Sequence, residues 1–130
     1  MFVDTSVVVA ILSQEDDAGD LSRRLEAAPV KFTSPLVILE AAMRLSTKLD
    51  VEPLLAHAAI AAFLQEADMQ VMQIESETAA LAVGAFQLYG KGRGHPAQLN
   101  LADCMSYACA KGGQMPLLYK GNDFAKTDLA

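Results

Sequence analysis

Short apolar segments that alternate with longer helical patterns are the feature that most constrains the fold of this chain. The segments short enough to be strands are residues 1–4, 30–33, 69–74 and 116–119. The helical patterns between them cover residues 5–13, 16–28, 35–49, 53–67, 75–90 and 100–112. This alternation predicts an α/β sandwich with a mostly parallel sheet. No linker or internal repeat interrupts it, so we expect a single domain over residues 1–130.

Composition and charge exclude several classes of protein. The chain is 52% hydrophobic, which is incompatible with disorder, and its net charge of -6 argues against a broad basic surface for nucleic acid. A nuclease whose metal ions bridge a few phosphates is not excluded. The longest apolar stretch, residues 54–64, is broken by His57 and too short to cross a bilayer, and no secretory signal is visible. Cys104 and Cys109 fit neither a zinc spacing nor a disulfide framework, so we expect a reducing, cytoplasmic location.

Four carboxylates lie beside apolar segments, where an acidic side chain is costly unless it meets a cation. Ligands of parallel sheets bind outside the carboxyl ends of the strands, and Asp4 and Asp123 lie at or just beyond two predicted strand ends. Asp103 lies in the first turn of its helix and Glu40 about two turns into another. The pattern predicts a divalent-metal site, although Asp123 also suits an ordinary Gly-Asn-Asp turn.

Each of the other acids also has a structural interpretation. Asp4 suits the N-cap of the first helix, and Asp103 suits the third position of a helix capped by Asn100. Glu40 and Arg44 are four residues apart and suit a helix ion pair. The Glu40–Arg44 pairing is compatible with a metal role, and the capping interpretations of Asp4 and Asp103 stand as alternatives to one.

A local basic cluster occupies a glycine-rich loop that contains Lys91, Arg93 and His95. Two interpretations stay open: a flexible solvated loop, or a loop that guides phosphates beside the active site. No Ser-His-Asp or Cys-His arrangement competes with the carboxylates. His57 lies in an alanine-rich helix, where we expect a packed or surface role.

The order and spacing of these motifs resemble the PIN domain, specifically the VapC-type toxin ribonucleases of bacterial type II toxin–antitoxin pairs. The similarity runs nearly from end to end. The matching segments are Met1-Phe2-Val3-Asp4-Thr5-Ser6, Ser34-Pro35 with Glu40 and Arg44, the loop at 89–97, Leu99-Asn100-Leu101-Ala102-Asp103-Cys104, and 117–124 with Thr127-Asp128.

The resemblance implies a PIN-like three-layer α/β/α sandwich and a divalent-metal-dependent endoribonuclease. In that family three acids hold Mg²⁺ or Mn²⁺, and Asp4, Glu40 and Asp103 match them. Many relatives carry a further acid where this chain has Asn122, so Asp123 is the fourth acidic candidate, and either one or two metals remain compatible. The implied reaction is hydrolysis of an RNA phosphodiester by metal-activated water.

The resemblance also implies partners: transfer or ribosomal RNA, a VapB-type antitoxin, and a second copy of the chain in a homodimer. Arg44 is the residue expected to face the antitoxin. The alternatives are a catalytically silent PIN-like binding module and a metal-dependent DNA nuclease or phosphatase. The side chains expected to contact RNA are Thr5, Ser6, Lys91, Arg93 and His95, with Lys111 and Lys120 as further phosphate contacts.

Overall fold

A computed structural model describes all residues, 1–130, as six helices and four short strands. The strands are β1 (Phe2–Val3), β2 (Lys31–Thr33), β3 (Met69–Val71) and β4 (Leu117–Leu118). The helices are α1 (Thr5–Leu12), α2 (Ala18–Ala27), α3 (Pro35–Leu49), α4 (Pro53–Glu66), α5 (Ser76–Tyr89) and α6 (Leu101–Gly112). Each element lies where the alternating pattern predicts it. No helix is both long and apolar enough to cross a membrane.

The strands form one sheet in the order β3-β2-β1-β4, and every pairing is parallel. Phe2 in β1 pairs with Phe32 on one side and with Leu117 on the other. Helices α1 to α4 contact one another and α5 packs against α6, which completes a three-layer α/β/α sandwich. The predicted fold class is confirmed, with a sheet that is wholly parallel.

The core lies around the two central strands. Phe2, Leu45, Ile60, Leu99 and Phe124 are among its fully buried side chains. Because β1 is central and flanked by partners on both sides, its residues are apolar throughout. The carboxyl end of β1 is thereby fixed against both neighbouring strands.

Helix starts follow the capping signals in the sequence. The Ser34 hydroxyl accepts a hydrogen bond from the Val37 N–H at 3.3 Å, and Pro35 occupies the first turn of α3. All four strands are shorter than predicted, β1 and β3 most informatively. Asp4 leaves β1 to cap α1, and β3 ends at Val71, beyond which Met72 still donates to the Thr33 carbonyl.

Candidate active site

Asp4 lies directly after the central strand β1 and is buried. Its backbone is extended, so its carboxylate caps α1: Oδ2 accepts from the Ser6 N–H at 3.0 Å and from the Ser6 hydroxyl at 2.7 Å. The capping role predicted for Asp4 is confirmed. Its other oxygen, Oδ1, accepts no hydrogen bond within the protein and is open to a further ligand.

Asp103 lies in the first turn of α6 and is also buried. Its Oδ2 accepts from the Asn100 N–H at 3.0 Å, and Asn100 Oδ1 accepts from the Asp103 N–H at 2.8 Å. This reciprocal capping arrangement is the predicted one, and it holds the carboxylate in a defined orientation. Again only one carboxylate oxygen is used, and Oδ1 has no protein partner.

Glu40 and Asp123 approach the same place from two other elements. Glu40 is half-buried on α3, which contacts α6. It borders an apolar hollow of about 290 Å³ that Met43 and Leu101 also line. Asp123 is exposed and follows β4, the strand paired with β1. The parallel sheet therefore brings two of the acids to one edge, and helices α3 and α6 supply the others.

The electrostatics of Asp103 demonstrate that the four acids influence one another. The pKa of Asp103 is raised to about 7, chiefly by burial and to a smaller extent by the negative charges of Asp123, Asp4 and Glu40, against the opposing hydrogen bond from Asn100. No Lys, Arg or His lies within ion-pair distance of any of these carboxylates. The site is a convergence of negative charge without a basic partner, which favours binding of a cation.

The acids form an open set of donors. No group of three His, Cys, Asp or Glu side chains is arranged closely enough to hold a metal ion by protein atoms alone. The four acids offer carboxylate oxygens rather than the Cys and His side chains that structural zinc sites use. Mg²⁺ takes oxygen ligands and is usually held by one or two carboxylates together with several waters. The free Oδ1 atoms of Asp4 and Asp103 are such oxygens.

The two hydroxyls after Asp4 have different surroundings. Ser6 is half-buried and its hydroxyl bonds to Asp4 and to the Lys120 N–H. Thr5 is only 1% exposed, and its Oγ1 is a buried polar atom without a hydrogen-bond partner. The RNA contact expected at Thr5 stays a prediction, and it requires this buried hydroxyl to become accessible.

Arg44 does not form the ion pair that its spacing from Glu40 suggests. Its side chain is exposed and lines a shallow hollow with Val9 and Met43. The Glu40 charge is therefore not neutralised within α3. Both side chains remain available for other partners.

The basic loop is anchored at both ends. Lys91 donates its N–H to the Leu99 carbonyl at 2.9 Å, and Leu99 donates to the Tyr89 carbonyl at 2.9 Å. The Arg93 guanidinium lies 5.7 Å from the centre of the Phe86 ring. Between the anchors, Gly92 and Gly94 adopt positive φ, which glycine permits without strain.

His95 is held within this loop rather than directed at the acids. Its Nδ1 accepts a hydrogen bond from the Ala97 N–H at 3.1 Å, and its ring meets the edge of Tyr89 with centroids 4.9 Å apart. His57 is exposed on α4. Neither imidazole forms an ion pair with a site carboxylate.

Two lysines expected to touch phosphate are instead engaged in ion pairs. Lys111 pairs with Asp128, and Lys120 pairs with Glu15 and Asp17. Their positive charges are neutralised locally, so the expectation that they guide RNA is not supported by their surroundings. Sequence inspection missed these pairs because the partners are distant along the chain and only the fold brings them together.

Comparison with known proteins agrees with this architecture. Residues 1–129 match the PIN domain family. A VapC ribonuclease of Rhizobium meliloti is 42% identical to this chain over 98% of both proteins. Ribonuclease VapC28 of Mycobacterium tuberculosis is 41% identical over 98% of this chain and 93% of the relative.

Solved structures show the same fold at lower identity. The crystal structure of Mycobacterium tuberculosis VapC20, a sarcin–ricin loop cleaving toxin, superposes with a TM-score of 0.74 at 20% identity, covering 95% of this chain and 92% of that one. A toxin–antitoxin complex from Klebsiella pneumoniae gives a TM-score of 0.69 at 19% identity, covering 98% and 92%.

The fold is that of a PIN domain, and the chain belongs to that family, which it matches over residues 1–129. Within this family the chain belongs to the VapC ribonucleases, the toxins of toxin–antitoxin systems.

Proposed function

We propose that this VapC ribonuclease is a divalent-metal-dependent endonuclease whose site consists of Asp4, Glu40, Asp103 and Asp123. The observation that carries the proposal is the convergence of these carboxylates without any basic side chain to neutralise them. Two of these acids, Asp4 and Asp103, are buried, and buried carboxylates without a cation cost free energy. Binding one Mg²⁺ or Mn²⁺ removes that cost.

Asp4 and Asp103 are the proposed principal ligands, each through its free Oδ1. The hydrogen bonds to their Oδ2 atoms fix both carboxylates before the metal arrives. Glu40 completes the set directly or through water, and Asp123 provides either a water-mediated contact or part of a second metal position, beside Asn122. Pre-oriented ligands lower the entropy cost of binding.

When bound, Mg²⁺ lowers the pKa of a water molecule and neutralises charge that develops on the phosphate. The protein residues complete the chemistry. Asp4, which follows β1, and Asp103, in the first turn of α6, would hold the cation. Asp123, which is exposed, is the carboxylate we propose to orient the attacking water or to accept its proton.

The experiment that tests the proposal compares wild type with Asp4→Asn and Asp103→Asn on total RNA in Mg²⁺, Mn²⁺ and EDTA. We expect cleavage by wild type only, abolished by EDTA. Asp20→Asn is the matched control, because Asp20 forms an exposed ion pair with Arg23 on α2 and lies outside the cluster. It should cut like wild type.

Two results would favour the alternatives. Equal activity of the Asn variants would remove the proposed site, and inert wild type would favour a catalytically silent binding module. Parallel reactions on single- and double-stranded DNA separate a ribonuclease from a metal-dependent DNA nuclease or phosphatase. The RNA fragments identify the target, which we propose to be structured transfer or ribosomal RNA, in line with the sarcin–ricin loop cleaving toxin among the similar structures.

We further propose that the loop containing Lys91, Arg93 and His95 contacts the RNA backbone. Lys91 and Arg93 are exposed and neither forms an ion pair, so their charges are available to phosphates. Charge reversal at both positions should weaken RNA binding and reduce its salt dependence. Arg24→Glu is the control, because Arg24 is also exposed and without an ion pair but lies on α2. An unchanged affinity in the loop variant would contradict the assignment.

A VapB-type antitoxin is the proposed protein partner, with Arg44 on its contact surface. The antitoxin's own basic residue would meet the unneutralised acids and so block access of RNA. Arg44→Glu should then weaken the toxin–antitoxin complex while leaving RNA cleavage intact. Titration calorimetry with the cognate antitoxin measures the difference.

A homodimer is the proposed assembly state. Helices α3 and α4 expose large apolar side chains, among them Leu39, Met43, Leu54 and Leu55. Sedimentation velocity over a range of concentrations tests the assembly. A monomer at every concentration would contradict it.

A further inference from the structure

Lys120, which follows β4, is the centre of an ion-pair cluster next to the acidic site. Its ammonium pairs with Glu15 and lies 2.9 Å from Oδ1 of Asp17, both in the turn between α1 and α2. Lys48 at the end of α3 pairs with the other oxygen of Glu15. The cluster therefore ties the segment after β4 to two other parts of the fold.

The backbone of the same residue reaches the site through one serine. The Lys120 N–H donates to the Ser6 hydroxyl oxygen at 2.9 Å, and that hydroxyl donates to Asp4 Oδ2 at 2.7 Å. A hydroxyl has a single hydrogen, and accepting the Lys120 N–H orients the oxygen so that its own hydrogen points at Asp4. Oδ2 is thereby occupied, and Oδ1 is left for a ligand.

The stretch from Tyr119 to Asp123 has few other hydrogen bonds to the rest of the fold, and Phe124, which follows it, is fully buried. The last bond that ties it to β1 is the Asp4 N–H to the Leu118 carbonyl at 3.0 Å. Beyond it, Gly121 adopts a φ of 95°, and Asn122 and Asp123 are exposed. Between β4 and this exposed turn, Lys120 is the residue that forms hydrogen bonds through both its backbone N–H and its side chain.

We propose that Lys120 is a positioning residue for the metal site: its ion pairs with Glu15 and Asp17 hold the chain so that its N–H fixes Ser6, and Ser6 fixes Asp4. This inference rests on the proposed role of Asp4 as a metal ligand. Groups that orient metal ligands typically change metal affinity when they are removed.

The test measures Mn²⁺ binding to the purified full-length protein without RNA, by the electron paramagnetic resonance signal of free Mn²⁺. Lys120→Met and Ser6→Ala should each weaken binding roughly tenfold, the low end for residues that orient ligands. The double variant should bind about as weakly as Ser6→Ala alone, because both residues act along one path. Lys120→Arg keeps a cation for Glu15 and Asp17 and should bind like wild type.

Lys48→Met is the matched control, because it removes an ion pair with Glu15 but leaves both pairs of Lys120. It should not change Mn²⁺ affinity. Circular dichroism melting of every variant shows whether the fold is retained. Should Lys120→Met melt early, the Lys120→Arg and Ser6→Ala measurements still decide the question.

Several results would overturn the inference. These are wild-type Mn²⁺ affinity in Lys120→Met, additive losses in the double variant, or an equal loss in Lys48→Met, which would indicate a general stabilising role. Weaker RNA binding with unchanged Mn²⁺ affinity would make Lys120 a phosphate contact instead. If wild type binds no Mn²⁺, or Asp4→Asn binds it equally well, the proposed metal site itself fails, and the inference fails with it.

Discussion

Asp103→Asn should make the metal-free protein more stable while removing its activity. In the folded protein the pKa of Asp103 rises from 3.8 to about 7, mainly through burial and then through repulsion by the other acids. The rise is about 3 units at about 1.4 kcal/mol each, so the ionised side chain costs about 4 kcal/mol above pH 7. Asparagine is neutral, and its carbonyl can still accept the Asn100 N–H.

The expected gain is smaller than this cost. The neutral amide accepts a weaker hydrogen bond than the carboxylate, a loss of about 1 kcal/mol. We therefore expect a net gain of roughly 2–3 kcal/mol at pH 8 in EDTA, which raises the melting temperature by on the order of 10 °C.

The difference in stability between Asp103→Asn and wild type should depend on pH. Because the folded-state pKa is raised, the folded protein binds more protons than the unfolded chain between about pH 4 and pH 7. Wild-type stability therefore falls as pH rises through this window, and the advantage of Asp103→Asn should disappear near pH 4.

Thermal and urea denaturation at pH 4 and pH 8, with EDTA and with Mg²⁺, measure these differences. Mg²⁺ should stabilise wild type and have little effect on Asp103→Asn, and Asp20→Asn should behave like wild type throughout. A variant no more stable than wild type at pH 8 in EDTA, or equally stabilised at both pH values, would refute the reasoning.

Three further changes test the packing around the site. Phe124→Ala empties a fully buried position and should cost about 3–5 kcal/mol of unfolding free energy, measured in urea; a cost below about 1 kcal/mol would contradict the burial. Gly90→Ala should reduce the melting temperature, because an added Cβ would lie 2.3 Å from the Phe86 ring and 2.4 Å from the Phe86 carbonyl oxygen; wild-type melting would contradict this steric clash. Asp128→Ala leaves the hydroxyls of Tyr89 and Tyr107 without their acceptor and should cost about 1–2 kcal/mol in urea. Tyr107→Phe combined with Asp128→Ala should then cost little more than Asp128→Ala alone.

Local signals in the sequence were sufficient for the secondary structure and its order. Ser34-Pro35 predicted the start of α3, and Asn100 with Asp103 predicted the capped start of α6. These signals work because a cap involves atoms only a few residues apart. Strand lengths were harder to predict from the sequence, since β1 ends where the Asp4 carboxylate turns back to cap α1.

The candidate acids could also be selected from the sequence. A carboxylate next to core-forming residues costs free energy in the folded protein unless it is paired, so such residues stand out. Their mutual influence was not visible. It depends on β1 and β4 being neighbours and on α3 and α6 packing together. The raised pKa of Asp103 follows from that convergence and from burial.

By itself, then, the sequence determined the order of the elements, their caps and the acidic residues, all of which depend on short-range chemistry. Only the tertiary structure decided which polar and charged side chains find a partner and which are accessible. Arg44 is without its expected partner, Thr5 is buried, and Lys120 is neutralised by Glu15 from the other end of the chain. Such long-range pairs are set by the packing of whole elements, which no local pattern of residues encodes.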